Sequence, residues 1–444
     1  MIKIKTSGLF VIVLLFLTAC QNLLPIELNA PNQNTNPEVT IESTQEPTTS
    51  PVASADSTDV ETNSSIQSEE NQVSEGPTFD PINAEVGPIK IGYMGPLSGG
   101  AAFVGIAQIK YLETVVEIYN QQSGLDIQIV SADTELNPEI GLTIAETFVD
   151  DPDIIGVVGP AGSQVCEATQ PIFEAGGLAH ITPSCTKTDL TNPGTTTFFR
   201  PIPTDADQSR AIAAHMIVAS DVYSLHILED QSSYAAVLSD ELTLLLRNSG
   251  ISTKRSSFTQ TETDFSTTLM NIINNSPDAV FIATQFENQT QALTKGLNDG
   301  GFGGFIYMPD TGFSSGWVQE TGQAAEGVYV TFFAPDPNLV PQAERYNQAY
   351  RSTFESDPTP FGGAAGMATE VLLKSISQCA NRSAANRECV TNRLNFIELD
   401  DTLLGLPISF QQGNQAKGIF SIFQIQNSEF NLLSGADDPG TVSK

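Results

Sequence analysis

The chain has 444 residues, 40% of them hydrophobic, with 24 Phe and 1 Trp; that is enough apolar material for one to three packed domains and excludes wholesale disorder. Nineteen Lys and Arg against 52 Asp and Glu leave a formal charge of −33, which excludes a protein that holds nucleic acid by counterion release or an anionic membrane by a basic patch. With only His180, His215 and His226, a multi-histidine metal centre is not expected, nor is a cofactor.

Residues 1–20 read as an address. Lys3 and Lys5 precede the apolar run Leu9–Leu17, which ends in Leu17-Thr18-Ala19-Cys20. A charged start, a short apolar run and small residues before a cut describe a secretory signal. Nine apolar residues are too few to span about 30 Å of hydrocarbon as a helix. The Leu-x-Ala-Cys ending resembles the bacterial lipobox, in which the Cys is acylated and becomes the mature N-terminus. Residues 21–87 hold twelve carboxylates, no Lys or Arg, and Phe79 as their only aromatic. Such a segment cannot bury enough surface to offset its ordering entropy, and it reads as a disordered acidic tether.

From Pro88 onward strands and helices alternate. Ile89–Tyr93, Leu125–Val130, Ile154–Val158 and Leu178–Ile181 read as strands, with helices through Tyr111–Tyr119, Pro138–Phe148 and Val165–Ala175 between them. A second series follows, with helices Ser209–Ala219, Tyr234–Arg247, Phe265–Ile273 and Gln289–Leu297. Its strands are Ser224–Leu228, Ile251–Phe258, Ala279–Ala283, Phe305–Met308 and Gly327–Phe332. Helices around Tyr346–Phe354 and Ala364–Ser377 and strands Leu406–Phe410 and Gly418–Ile425 close the chain. Strict alternation means parallel sheets covered on both faces. The expected fold class is therefore α/β, with two similar lobes, each a parallel sheet flanked by helices. The chain is expected to cross between lobes near Pro201–Asp205, Thr331–Pro335 and Phe410–Gly413, which makes a hinge over a ligand cleft. This gives a first lobe of about 88–203 and 334–410, a second of 204–333 and 411–430, and a tail of 431–444.

Several short motifs fall at telling distances: Tyr93-Met94-Gly95-Pro96-Leu97-Ser98-Gly99, Gly156–Pro160, Ile181-Thr182-Pro183-Ser184-Cys185-Thr186, Asp189-Leu190-Thr191, Phe199-Arg200 and Tyr234. Together, over about 88–430, they resemble the type 1 periplasmic-binding-protein fold, in its branched-chain amino-acid-binding family. The resemblance implies a monomeric lipoprotein receptor that closes on an amino acid and hands it to an ABC permease. It also implies ligand contacts from Ser184, through a backbone carbonyl, and from the Thr186 hydroxyl. Asp310 falls where the family sets an acid against the ligand's ammonium, and Tyr234 where it sets a cleft-closing aromatic. Phe286 or Gln285 would occupy the end of the next strand.

The residues support parts of this independently. Gly159–Ser163 ends a strand and opens a helix, where N–H groups and the helix dipole suit a carboxylate; Ser163 can serve a ligand, cap the helix, or do both. Asp310 follows a buried strand, where an acid needs a partner, or else makes an Asx turn before Gly312. Enzyme motifs fail. Gly312-Phe313-Ser314-Ser315-Gly316 has no His after it in the chain, Gly95–Gly100 lacks the Lys of a phosphate loop, and Gly300–Gly304 follows a helix. A sensory module of the same fold and a receptor for a neutral amide are the alternatives to an amino-acid receptor. In an oxidising compartment Cys379 and Cys389 are expected to pair across a polar loop. Cys166 and Cys185, just after successive strands, are expected to form the second pair, two buried thiols being the alternative.

If Cys20 is acylated, Cys20→Ser releases the protein into the soluble fraction or leaves the signal uncleaved. Unchanged membrane attachment of that variant on fractionation overturns the lipoprotein assignment.

Overall fold

The computed structural model describes residues 88–434, apart from 192–193, 219–220, 382–384, 416–417 and 419; the signal, Cys20, the tether and positions 435–444 lie outside the described residues. In chain order the first series is β1 (Ile89–Gly95), α1 (Ala102–Ser123), β2 (Ile127–Asp133), α2 (Pro138–Asp150), β3 (Ile154–Val158), α3 (Ser163–Ala175), β4 (His180–Ile181) and β5 (Phe198–Phe199). The second is α4 (Asp205–Val218), β6 (Ser224–Glu229), α5 (Ser233–Asn248), β7 (Ser252–Ser257), α6 (Ser266–Asn275), β8 (Ala279–Ala283), α7 (Glu287–Asp299), β9 (Phe305–Met308), α8 (Ser315–Thr321) and β10 (Tyr329–Phe332). The chain ends with α9 (Glu344–Phe354), α10 (Pro360–Ala380), α11 (Arg387–Leu394), β11 (Glu398–Leu399), β12 (Ile408–Gln411), β13 (Asn414–Gln415), β14 (Ser421–Gln426) and β15 (Glu429–Ser434).

Two large sheets result. The first has the order β2-β1-β3-β4-β5 and is parallel throughout. The second has the order β15-β14-β10-β9-β8-β6-β7. Its first five strands in the chain are parallel, whereas β14 and β15 add an antiparallel edge beside β10. This α/β architecture is the one expected, with two departures. The antiparallel edge was not expected, and β15 runs through residues assigned to a tail.

Burial on both faces explains why the central strands read as unbroken apolar runs. In β8, Ala279, Phe281 and Ala283 pack toward α4 and α5, while Val280 and Ile282 belong to the opposite core with Leu269 and Ile272 of α6 and Leu293 and Leu297 of α7. The outer strand β7 is Ser-Thr-Lys-Arg-Ser-Ser and largely exposed; its charges discourage edge-to-edge pairing. The helix α10 is buried along nearly its whole length and packs on α1 and β3. The chain leaves the first sheet after Phe199; after Phe332 its helix α10 packs back on α1 and β3, β11, β12 and β13 form a small separate sheet, and the second sheet is rejoined at Ser421. The last passage lies beyond the expected Phe410–Gly413, because β13 first docks against Arg200.

One helix boundary matters for the site. The α4 helix starts at Asp205, not Ser209, because Thr204 and Asp207 form a reciprocal cap. The Thr204 N–H and hydroxyl donate to Asp207 Oδ2 at 2.8 and 2.7 Å. This places Asp205, fully buried, at the first turn of the helix.

Both expected cysteine pairs are present. Cys166 and Cys185 lie 2.09 Å apart at sulfur, as do Cys379 and Cys389 at 2.11 Å. The second pair ties α11 to α10, and Arg387 of α11 donates to the carbonyls of Ile154, Phe148 and Asp151 around β3. A bond closing a segment of 10 residues contributes about 2–3 kcal/mol. Replacing Cys379 and Cys389 together by Ala is expected to lower urea-unfolding stability by about that amount. An unchanged midpoint, or a non-reduced peptide joining Cys166 to Cys379, refutes this assignment.

Candidate functional site

In both sheets the strand order reverses beside a central strand, β1 in the first and β6 in the second. In open α/β sheets, ligands bind outside the carboxyl ends of the strands at such a switch point. A small cavity of about 30 Å³ lies where the loops from those ends meet. Pro96 and Ala101 follow β1, Leu136 follows β2, Ala161 and Gly162 follow β3, and Ser184 follows β4. The second sheet supplies Tyr234 after β6, Gln285 after β8, and Asp310 and Thr311 after β9. Val104 of α1 and Phe361 of α10 complete the lining.

The wall from the first sheet is apolar apart from Ser184 and the backbone of the β3–α3 loop. Gly159 and Gly162 in that loop have φ of +120° and +86°, backbone conformations that a residue with a Cβ rarely adopts. Gly162 precedes α3, and no side chain caps the helix. The first N–H groups of α3 therefore have no partner within the helix and carry the positive end of its dipole. Ser163 is buried, and its Oγ accepts from the Lys187 N–H at 3.2 Å. The Lys187 ammonium is held by Glu167 at 2.6 Å and Asp189 at 3.3 Å, so the helix terminus, not a lysine, is the positive feature facing the cavity. The Ser184 hydroxyl accepts from Gln108 Nε2 at 2.9 Å and keeps its own proton to donate.

The wall from the second sheet centres on Asp310, which is 2% exposed. Tyr234 OH and Gln208 Nε2 both donate to its Oδ1, at 2.6 and 2.8 Å. Burial pushes the Asp310 carboxyl up to about 6, against the pull of those two donors. Asp205 lies behind it, and burial drives its carboxyl well above the usual range, opposed by the Thr186 hydroxyl and Arg200 and reinforced by the charge of Asp310. The guanidinium of Arg200 donates to the carbonyls of Cys185 and Lys187 at 3.2 and 2.6 Å and to Asn414 Oδ1 at 2.9 and 2.7 Å. Buried Arg200 thus stands near Asp205, while the donors to Asp310 are the neutral Tyr234 and Gln208. Asp230 is also buried, and its oxygens accept from Ser232 and from the Gln285 N–H at 2.9 Å, which fixes Gln285 at the cavity.

Of the residues singled out in the sequence, Ser184, Tyr234 and Asp310 line the cavity together. Ser163 stands at its edge, bonded to the chain, and Thr186 lies behind it against Asp205. Between Gln285 and Phe286, it is Gln285 that lines the cavity. Phe286 instead presses on Gly100, where a Cβ would stand 2.5 Å from its Cδ1. Gln285 also closes the mouth, since Gln164 Nε2 of α3 donates to its Oε1 at 2.8 Å. Leu136, Val104 and Phe361 were not anticipated. Ser314, in the Gly-x-Ser-x-Gly stretch, caps α8 and bonds Glu287, so that motif is a helix start.

The sequence of residues 88–429 matches the periplasmic binding protein family. A Leu/Ile/Val-binding protein homologue of Brucella melitensis is 24% identical over 346 residues, 77% of this chain and 92% of that protein. The isoleucine complex of a branched-chain amino acid transporter substrate-binding protein from Streptococcus pneumoniae superposes with a TM-score of 0.70 at 20% identity, covering 78% of this chain and 99% of the other. A solute-binding protein from Rhodopseudomonas palustris in complex with benzoate does so with a TM-score of 0.70 at 17% identity, covering 81% and 100%. With the match spanning both sheets and every loop of the cavity, the chain belongs to the periplasmic binding protein family.

Proposed function

We propose that the protein is a lipid-anchored extracytoplasmic receptor that captures a small apolar L-amino acid by closing two lobes on it and delivers it to an ABC permease. The observation that carries this reading is Asp310. It is a buried acid on one wall of a cavity whose other wall offers the unpaired N–H groups of a helix start. An α-carboxylate at the Ala161–Ser163 loop, with Ser184 beside it, and an α-ammonium at Asp310 satisfy both walls at once. A benzoate-like ligand has a carboxylate and no ammonium, and leaves Asp310 unpaired. A neutral amide does the same.

The lobes are taken as residues 88–203 with 334–415, and 204–333 with 421–434. A ligand with both charged groups touches both, so it binds the closed arrangement better than the open one and shifts the hinge toward closure. The Gln164–Gln285 bond spans the cleft mouth and adds to closure without touching Asp310. The family relationship supports export from the cytoplasm, and among the described residues no helix is long and apolar enough to cross a membrane. The protein binds its ligand without chemistry and acts as a monomer.

Calorimetry tests the reading. Branched-chain L-amino acids are expected to bind, and Asp310→Asn is expected to cost about 2–5 kcal/mol because the ammonium is then buried without its partner. Equal affinity in that variant makes an uncharged ligand the better assignment. The pH dependence has a definite sign. The folded carboxyl, at about 6, lies above the ordinary aspartate range. The protein without ligand is therefore stabilised by protonation, and that contribution is lost as pH rises through about 6. Ligand affinity runs the other way, level above pH 7 and weakening about tenfold per unit well below pH 6. Affinity that rises on acidification sinks the ammonium–Asp310 contact. Separately, Gln164→Ala is expected to raise the dissociation rate about 3- to 10-fold, as for loss of one hydrogen bond, and stopped-flow release of ligand measures it.

A further inference from the structure

The helix α7 starts without a cap from its own lobe. Its N-cap residue is Phe286, whose side chain offers no acceptor. The first N–H groups of a helix have no partner within it and carry the positive end of its dipole. Here an acceptor comes from the other lobe, since the Glu287 N–H donates to the Gly100 carbonyl at 3.4 Å. Gly100 stands in the loop after β1 and Glu287 opens α7 after β8, so a carbonyl of the first lobe caps a helix of the second. The Glu287 carboxylate is turned to Ser314 of its own lobe, which leaves the main chain and the Phe286 ring to make this contact.

The ring supplies the closer part of it. A Cβ on Gly100 would stand 2.5 Å from Phe286 Cδ1 and 3.4 Å from both its Cε1 and Asn288 Oδ1. Carbon atoms in ordinary contact lie about 3.5–4.0 Å apart, so the ring fills space that any side chain at position 100 would need. Gly99 has φ of +78°, whereas Gly100 does not adopt left-handed backbone. What requires glycine at position 100 is therefore the approach of the other lobe and not its own conformation. The backbone that carries the ring is held on the second lobe. The Phe286 N–H reaches Thr284 Oγ1 at 3.3 Å, and the Thr290 N–H donates to the Phe286 carbonyl at 3.0 Å. Each side of the contact is one residue from the cavity, because Ala101 and Gln285 both line it.

We propose that Gly100 is a positioning residue for ligand retention. Its carbonyl and its bare Cα form a seat for the start of α7 and the Phe286 ring, and this seat, outside the cavity, sets how slowly the closed lobes release their ligand. The proposal rests on the two-lobe amino-acid reading above and adds a latch to it.

Stopped-flow release of L-leucine tests it, with calorimetry for affinity and urea unfolding of the unliganded protein as the structural control. Gly100→Ala is expected to raise the dissociation rate at least fivefold and to leave the association rate and the urea midpoint at their wild-type values, because the clash arises only when the lobes meet. Phe286→Ala alone is also expected to speed release, and it keeps the latch open to refutation should alanine at position 100 prevent folding. In the Phe286→Ala background, with the ring gone, Gly100→Ala is expected to change the rate less than twofold. A smaller effect of Gly100→Ala than fivefold, an effect as large without the ring as with it, or a lowered urea midpoint overturns the latch and leaves the amino-acid reading standing. A wild type that binds none of L-leucine, L-isoleucine and L-valine overturns that reading, and the inference with it.

Discussion

A carboxylate taken out of water without a cation is the constraint on which this structure turns. Two acids, Asp205 in the first turn of α4 and Asp310 after β9, lie buried within reach of each other's field, and the guanidinium of Arg200 stands near Asp205. Arg200 is itself spent on carbonyls and on Asn414, which fix its position and keep it from moving to Asp310. Hydrogen bonds from Tyr234 and Gln208 ease the burial of Asp310 but do not cancel its charge. The acid is satisfied by a proton or by a cation that arrives from outside. A receptor for an ammonium needs that imbalance, because a carboxylate already paired with Arg or Lys has little to gain from a ligand.

The topology explains why such an acid can face a helix terminus across a few ångströms of ligand. Parallel strands send all their carboxyl ends the same way, so each sheet gathers its loops at one edge. Two sheets in one chain then present two such edges to one cavity, and every lining loop comes from a strand's carboxyl end. The chain passes from the first sheet to the second after Phe199 and rejoins the second at β14, after helix α10 has packed back on β3. Polar groups bonded within one wall, such as Asp230 with Gln285, preorganise that wall. A bond between walls, Gln164 with Gln285, ties the two edges to each other directly.

Much of this was legible in the sequence, for identifiable reasons. Runs such as Ala279–Ala283 and Ile154–Val158, apolar without alternation and bounded by turns, can only be strands covered on both faces. Asp310 was visible because an acid directly after such a run is anomalous. The cysteine pairs followed from position. Other features left no local mark. The exposed β15 reads Glu-Phe-Asn-Leu-Leu-Ser and has too little pattern to separate it from a tail. The start of α4 was missed because Thr204 and Asp207 cap it before any apolar periodicity begins. Thr186 carried the right chemistry, yet it serves Asp205 and not the cavity, a difference set by one residue of loop geometry. The choice between Gln285 and Phe286 depended on which residue the strand's last pleat turns inward.

Leu136 was the least legible of all, and the reason is physical. Left-handed turns announce themselves through Gly, Asn or Asp, whose intrinsic preference favours them. At Glu135-Leu136 the preference of the residues opposes the conformation, and long-range bonds to Gly95 and Leu97 impose it. The shape of this part of the cavity wall is therefore written in a tertiary constraint, while Asp310 and the glycines of the β3–α3 loop mark the other parts of the wall in the local sequence. A wall held by bonds to a distant strand leaves no local signal, so the residues that shape this cavity are only partly those whose chemistry announces them.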